Sequence, residues 1–276
     1  MPTAIVLVVA IAAAVAWSLV EPYTLQVVQS EFTSPQVPPA FDGARIVYLT
    51  DVHAGPYLSR ARVIAALDRV ATLDPDAILM GGDFVGGWSH AARWFYPEAA
   101  RLSAPLGIYA ILGNHDIWEG RAEATAGLSA SKITLLNNSS VRLTRDGQTI
   151  VVAGVEDVAG APNFSATTAG IRDDEFAILL SHSPDPLVDM LPTAPHTFDL
   201  ALSGHIHGGQ LTVFGLWAPF TNSRYGNRYR TGWHTIGDTT MLVSNGIGTV
   251  VAPIRLGAPP QIHVITLRRG AATGVR

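Results

Sequence analysis

Along this chain, apolar runs end abruptly in Asp, Asn or His. RIVYLTDVH closes on Asp51 and His53, AILMGGD on Asp83, IYAILGNHD on Asn114, His115 and Asp116, FAILLSH on His182, and LALSGHIH on His205 and His207. Taken singly, each has a plain explanation: an Asp after a strand is ordinarily a turn former or cap, and a lone His a satisfied side chain. The repetition argues otherwise, because the chain has nine histidines and five of them stand at these ends. Oxygen and nitrogen donors without sulfur suit divalent cations of the Mn, Fe or Zn kind. Two such ions, held about 3.5 to 4 Å apart by a bridging carboxylate, activate water and clamp a phosphoryl group in transfer. Asp83, following Gly81-Gly82, is the candidate bridge. Asn114 offers a neutral oxygen, and His115 is placed to point at substrate. The glycines beside the histidines admit positive φ and leave room for a phosphate.

These residues converge only if the elements before them are parallel strands, whose carboxyl ends open onto one crevice. The pattern predicts that arrangement. Arg45–Asp51 and the run around DAILMGGD read as buried strands, PLGIYAILGNHD as a third, with a helix over SRARVIAALDRVATLD starting at a Ser59 cap and another within AARWFYPEAARLS. Strand, helix, strand, helix, strand implies right-handed parallel crossovers. Beyond Leu128 the pieces are shorter and strand-like, with a hairpin turn at Asp146-Gly147. The expected fold is α/β, a strand-rich core of two sheets with helices outside.

At 276 residues and 48% hydrophobic, the chain can bury one large domain. Net charge is -4 without a basic block, which argues against a nucleic-acid groove. No cysteine is present, so disulfides, thiolate metal sites and iron–sulfur clusters are excluded in this chain. The run from Ala4 to Val20 carries no charge and is read as a membrane anchor, with a cleaved signal peptide as the rival. Trp17 and Tyr23 are its candidate interfacial residues. The expected organisation is an anchor or signal segment over 1–22, an extended arm over 23–43, one domain over 44–270 and a flexible tail over 271–276.

The blocks DVH, GGD, GNHD, LLSHSPD and GHIH, in this order and spacing, resemble the calcineurin-like metallophosphoesterases across roughly Arg45 to Leu267. GGQ after the last histidine, SRYGNRYRTG and NGIGTVVAPIRLGAPPQIHVITL resemble the membrane-associated bacterial YkuE-like or YaeI-like branch, which includes enzymes cleaving the pyrophosphate of UDP-2,3-diacylglucosamine. The resemblance implies two stacked mixed β-sheets flanked by helices and a dinuclear metal centre. One ion would take Asp51, His53, Asp83 and His207, the other Asp83, Asn114, His182 and His205. His115 would serve catalysis beside them, with Asp116 orienting it. GGDFVGG lacks the Asp common two residues after the metal ligand in this family.

The expected activity is hydrolysis of a phosphodiester or pyrophosphate at a membrane, on a phospholipid or lipid-linked nucleotide. A phosphomonoesterase and a non-catalytic metal-binding protein of the cell envelope are the alternatives. Arg224 and Arg228 are candidate holders of a second phosphate, and the apolar residues of TVFGLWAPF are candidates to cover acyl chains. Positive-inside counting has nothing to act on before Arg45, and the extracytoplasmic side is favoured for the domain. Composition says nothing of oligomeric state.

Overall fold

The computed structural model describes all residues except 1, 88, 194–197, 272–273 and 276. Among the described residues, thirteen strands form two mixed sheets. The first contains β1 (Gln26–Ser34), β2 (Arg45–Leu49), β3 (Ala77–Met80), β4 (Ile108–Ala110), β5 (Thr134–Leu135), β12 (Gln261–Arg269) and β13 (Gly274–Val275), in the order β13-β1-β12-β2-β3-β4-β5. The second contains β6 (Ser139–Arg145), β7 (Gln148–Gly154), β8 (Ala177–Leu180), β9 (Leu200–Ser203), β10 (Gly232–Ile236) and β11 (Thr239–Val243), in the order β10-β11-β9-β8-β7-β6. β2 to β5 run parallel, as do β7, β8, β9 and β11.

Ile46, Tyr48 and Leu79 of the first sheet meet Val152, Ile178, Leu180 and Leu202 of the second in one continuous apolar layer. The alternate residues Val47, Leu49, Ile78 and Met80 pack outward against Val63 and Leu67 of α2 (Arg60–Ala71), Phe95 of α3 (Ala92–Ala99) and Leu128 of α4 (Asn114–Ala130). Strands covered on both faces are apolar throughout, so they lack an alternating pattern. The short α5 (Phe164–Thr168) and α6 (Asp185–Met190) lie outside the second sheet, where Leu187 meets Leu179.

The expected helices and the hairpin form: Asp146 and Gly147 both take positive φ between β6 and β7. Ser59 holds the cap position of α2, but its hydroxyl makes no capping bond. Three expectations need correction. GNHD is not a turn closing a strand but the first turn of α4, a helix the sequence reading omitted. The arm over 23–43 is not separate from the domain, because β1 pairs along its whole length with β12. Within the expected tail, Gly274 and Val275 pair with Thr33 and Phe32, while residues 272, 273 and 276 lie outside the described residues.

The uncharged N-terminal run forms α1 (Pro2–Val20), whose apolar side chains, Ile5, Val9 and Val15 among them, stand exposed. Its 19 residues span about 28 Å at the α-helical rise, close to the thickness of a bilayer's hydrocarbon core. A buried helix of the domain is thereby excluded. The foot of the helix is tied down: Arg255 N–H donates to the Ser18 carbonyl (2.9 Å), and the Glu21 carboxylate accepts from the amides of Gly257 (2.9 Å) and Ala258 (2.7 Å).

Candidate metal centre

The carboxyl ends of β2, β3, β8 and β9, together with the first turn of α4 after β4, meet at one end of the sandwich. Five of the residues there, Asp51, His53, Asp83, His205 and His207, are non-glycine residues at positive φ, between 46° and 68°. Strand geometry would send Asp51 and His53 to opposite faces. The left-handed turns break that alternation and let both side chains enter one cavity, at a conformational cost.

Two clusters result. Asp51, His53 and His207 form one: His207 Nε2 lies 3.3 Å from Asp51 Oδ1 and 3.1 Å from His53 Nε2. Asp83, His182 and His205 form the other: His182 Nε2 lies 3.2 Å from Asp83 Oδ2, from Asn114 Oδ1 and from His205 Nδ1. Asp83 Oδ2 links the two, standing 3.5 Å from His53 Nε2 as well, and His53, Asp83 and His115 form a third group of possible ligands. Its other oxygen accepts the His115 N–H at 2.9 Å, which turns Oδ2 toward the shared space.

Supporting bonds fix the donors. Asp51 accepts from the Thr50 hydroxyl (2.8 Å) and, through both oxygens, from the His205 N–H. His182 Nδ1 lies 2.8 Å from the Gly81 carbonyl, which leaves Nε2 for the cluster. His205 turns Nδ1 inward and sets Nε2 2.8 Å from the Asn222 side-chain amide. Gly204 and Gly113 do not make room for phosphate. A Cβ on Gly204 would sit 2.1 Å from Asp51 Oδ2, and one on Gly113 2.2 Å from Asp83 Oδ1, so these glycines admit the carboxylates themselves.

Burial shapes the protonation states. It lowers His53 to about 4, His205 to about 3 and His207 well below the ordinary imidazole value, so these rings are neutral. It raises Asp51 to about 6, against the pull of His182. Burial would raise Asp83 too, but His182 and His53 hold it well below the usual carboxylate range. Conversely His182, though burial disfavours its charge, is raised well above the ordinary value by Asp83 and Asp51. Three neutral imidazoles, the His182 ring and buried carboxylates form a sulfur-free donor set that fits divalent cations.

Above the clusters opens a cavity of about 500 Å³, lined by His115, His205, His207 and Asn222 on one side and by Leu211, Phe220 and Val251 on the other. A second cavity of about 230 Å³ lies on the other side of His115, lined by His53, Glu119 and Tyr57. His115 borders both, and its side chain is 31% exposed.

Two expected site roles do not fit. Asp116 does not orient His115: it is fully buried and accepts amide hydrogen bonds from Asp83 (2.7 Å), Phe84 (2.9 Å) and Gly113 (3.0 Å), locking the GGD and GNHD segments together. Glu119 holds His115 instead, with Oε1 2.9 Å from Nδ1 one helical turn along. Arg224 and Arg228 do not line the cavity. Arg224 pairs with Asp189 and lies over Tyr225, and Arg228 lies over Tyr229. The sequence reading also missed Asn222 and Arg255. Arg255 is fully buried, donates to the carbonyls of Ala258 (2.6 Å) and Asn245 (2.8 Å), and lies 3.5 Å from His207 Nδ1.

Fold and site together define a metal-dependent phosphoester hydrolase, and the chain belongs to the calcineurin-like phosphoesterase family, whose model matches residues 44–209. It is similar to YkuE, an uncharacterized metallophosphoesterase of Bacillus subtilis, at 31% identity over 90% of this chain and 87% of that protein. A transmembrane protein with a metallophosphoesterase domain from Danio rerio is 28% identical over 88% of this chain, which spans 57% of that relative. Among solved structures, TT1561 of Thermus thermophilus shares the fold, with a TM-score of 0.50 at 14% identity, covering 74% of this chain and 90% of that one.

Proposed function

We propose that the protein is a two-metal phosphodiesterase or pyrophosphatase, anchored in a membrane by α1 and acting on a phospholipid or lipid-linked nucleotide. The observation that carries this is Asp83 Oδ2, shared between the two donor clusters. Asp51, His53, Asp83 and His207 would hold one cation, and Asp83, Asn114, His182 and His205 the other. When bound, such a pair supplies an activated water and neutralises charge on the phosphate oxygens. His115, beside both clusters and open to the cavity, is placed to protonate the leaving oxygen or to donate to a phosphate oxygen. Glu119 fixes its ring, leaving Nε2 toward the cavity. Among the described residues, no Lys or Arg lines the cavity. A diester or anhydride with an apolar substituent matches the Leu211, Phe220 and Val251 wall.

The test is metal-titrated hydrolysis of bis-p-nitrophenyl phosphate, p-nitrophenyl phosphate, nucleotide pyrophosphates and UDP-2,3-diacylglucosamine, with Asp83→Ala as control. Mn²⁺-dependent turnover favouring diester or anhydride is expected. Preference for the monoester would overturn the substrate class, and no metal-dependent turnover on any of them would favour a metal-binding envelope protein.

A further inference from the structure

α1 leaves the domain at the end of the sandwich that holds the metal clusters. β12 runs antiparallel to β2, with His263 opposite Tyr48, so its first residues lie at the carboxyl end of β2, and β1 starts alongside them at Gln26. The foot of α1 is bonded to Arg255, Gly257 and Ala258. The same extended segment pairs on its other side with a loop: Leu256 N–H donates to the Gln210 carbonyl and Thr212 N–H to the Leu256 carbonyl, each at 2.9 Å.

That loop, Leu211 to Phe220, contains no charged residue. Val213 pairs with Trp217 across a tight turn in which Phe214 (φ 55°) and Gly215 (φ 73°) both take positive φ. Such turns favour Asn or Asp followed by Gly. Here Phe stands in the Asn position, 92% exposed, with Leu216 at 81%. Val251, on the neighbouring rim of the cavity, repeats the anomaly: a β-branched residue at φ 64°, 89% exposed. Neither water nor backbone conformation favours a large apolar side chain at these positions. Both penalties are offset if the surroundings are hydrocarbon.

We propose that the Val213–Trp217 hairpin and Val251 form a second membrane contact, inserting into the bilayer beside α1 so that the mouth of the metal cavity opens onto the lipid surface. This rests on α1 lying in the membrane and deepens the reading of the site as a phosphoesterase. An amphiphilic phosphoester would then present its phosphate without leaving the bilayer, its apolar part lying along Phe220 and Leu211. The occupant is a lipid bilayer. One extended segment separates the hairpin from a helix of bilayer length, and the apolar contact area supplies the affinity.

The chain has no native cysteine, so single labels are unambiguous. The full chain, reconstituted into phosphatidylcholine vesicles, is labelled with an environment-sensitive fluorophore at Leu216→Cys. The control is Asp146→Cys, in the β6–β7 turn at the opposite end of the sandwich. Shielding of the Leu216→Cys label from aqueous iodide, with the control fully quenched, is the expected result. Equal quenching of the two would overturn the proposal. In a second arm, Phe214→Asn/Leu216→Ser leaves turnover of bis-p-nitrophenyl phosphate unchanged and lowers turnover of a vesicle-borne phosphodiester by about tenfold or more, from the lost apolar burial. Asn suits the left-handed turn position, so this variant folds at least as well. Unchanged vesicle turnover would also overturn the docking. If the parent hydrolyses no ester, the phosphoesterase reading fails, while the quenching arm still decides the membrane contact.

Discussion

The Nδ1 atom of His115 lies 2.9 Å from Glu119 Oε1, one turn along the same helix, while the neighbouring Asp116 faces the other way into the core. His115→Ala should therefore keep its metal and lose turnover by about 10² or more. Glu119→Gln should lose less, roughly tenfold, and displace the pH profile of kcat, since it alters only the support of the ring. Metal analysis beside steady-state kinetics tests both. Undiminished kcat in metal-replete His115→Ala would remove the residue from the mechanism.

Asp116 acts on stability. Its carboxylate satisfies three buried amides of two separate loops, and a donor left unsatisfied costs about 1–3 kcal/mol. Asp116→Ala is expected to lower unfolding stability by about 3 kcal/mol or more in urea. A variant with unchanged stability and collapsed kcat would restore a catalytic role.

The shared carboxylate predicts an asymmetry in metal content. After dialysis, Asp83→Asn should retain fewer than about one ion per chain, because both sites lose a ligand, whereas Asp51→Asn should retain about one of two. Elemental analysis decides, and equal losses in the two variants would contradict a bridge at Asp83.

Metal binding should release protons. The raised His182 is protonated at neutral pH without a cation, while His53, His205 and His207 are already neutral. Binding through Nε2 displaces the His182 proton, so affinity should strengthen with rising pH, with a proton released from His182 on binding. Calorimetry in buffers of different ionisation enthalpy measures that number, and zero release would show His182 unengaged.

Much of the site was legible because its residues end apolar runs, and the parallel sheets bring those ends together whatever their separation in sequence. Part of what escaped detection depended on α4. Its stretch WEGRAEATAGLSA, rich in Ala and Gly and broken at Gly120, carries little amphipathic signal. Without the helix, Glu119 has no reason to be paired with His115. Once a helix is assigned, the spacing of four residues identifies it. Arg224 and Arg228 misled because charge and proximity in sequence say nothing about which way a loop faces. The Asp146-Gly147 hairpin was legible from turn chemistry, whereas the Val213–Trp217 hairpin was hidden by a Phe where that chemistry expects Asn.

The left-handed ligands have a consequence for the life of the protein without its ions. Asp51, His53 and Asp83 come from the first sheet, His205 and His207 from the second, so bound cations would act as rivets through both layers. Stripped of them, the chain keeps five strained backbone positions and a buried crowd of imidazoles and carboxylates with nothing to bind them together. Chelation should then be felt as loosening of that end of the sandwich, a lowered melting temperature and faster proteolysis of the loops after β2 and β9, before any substrate is offered.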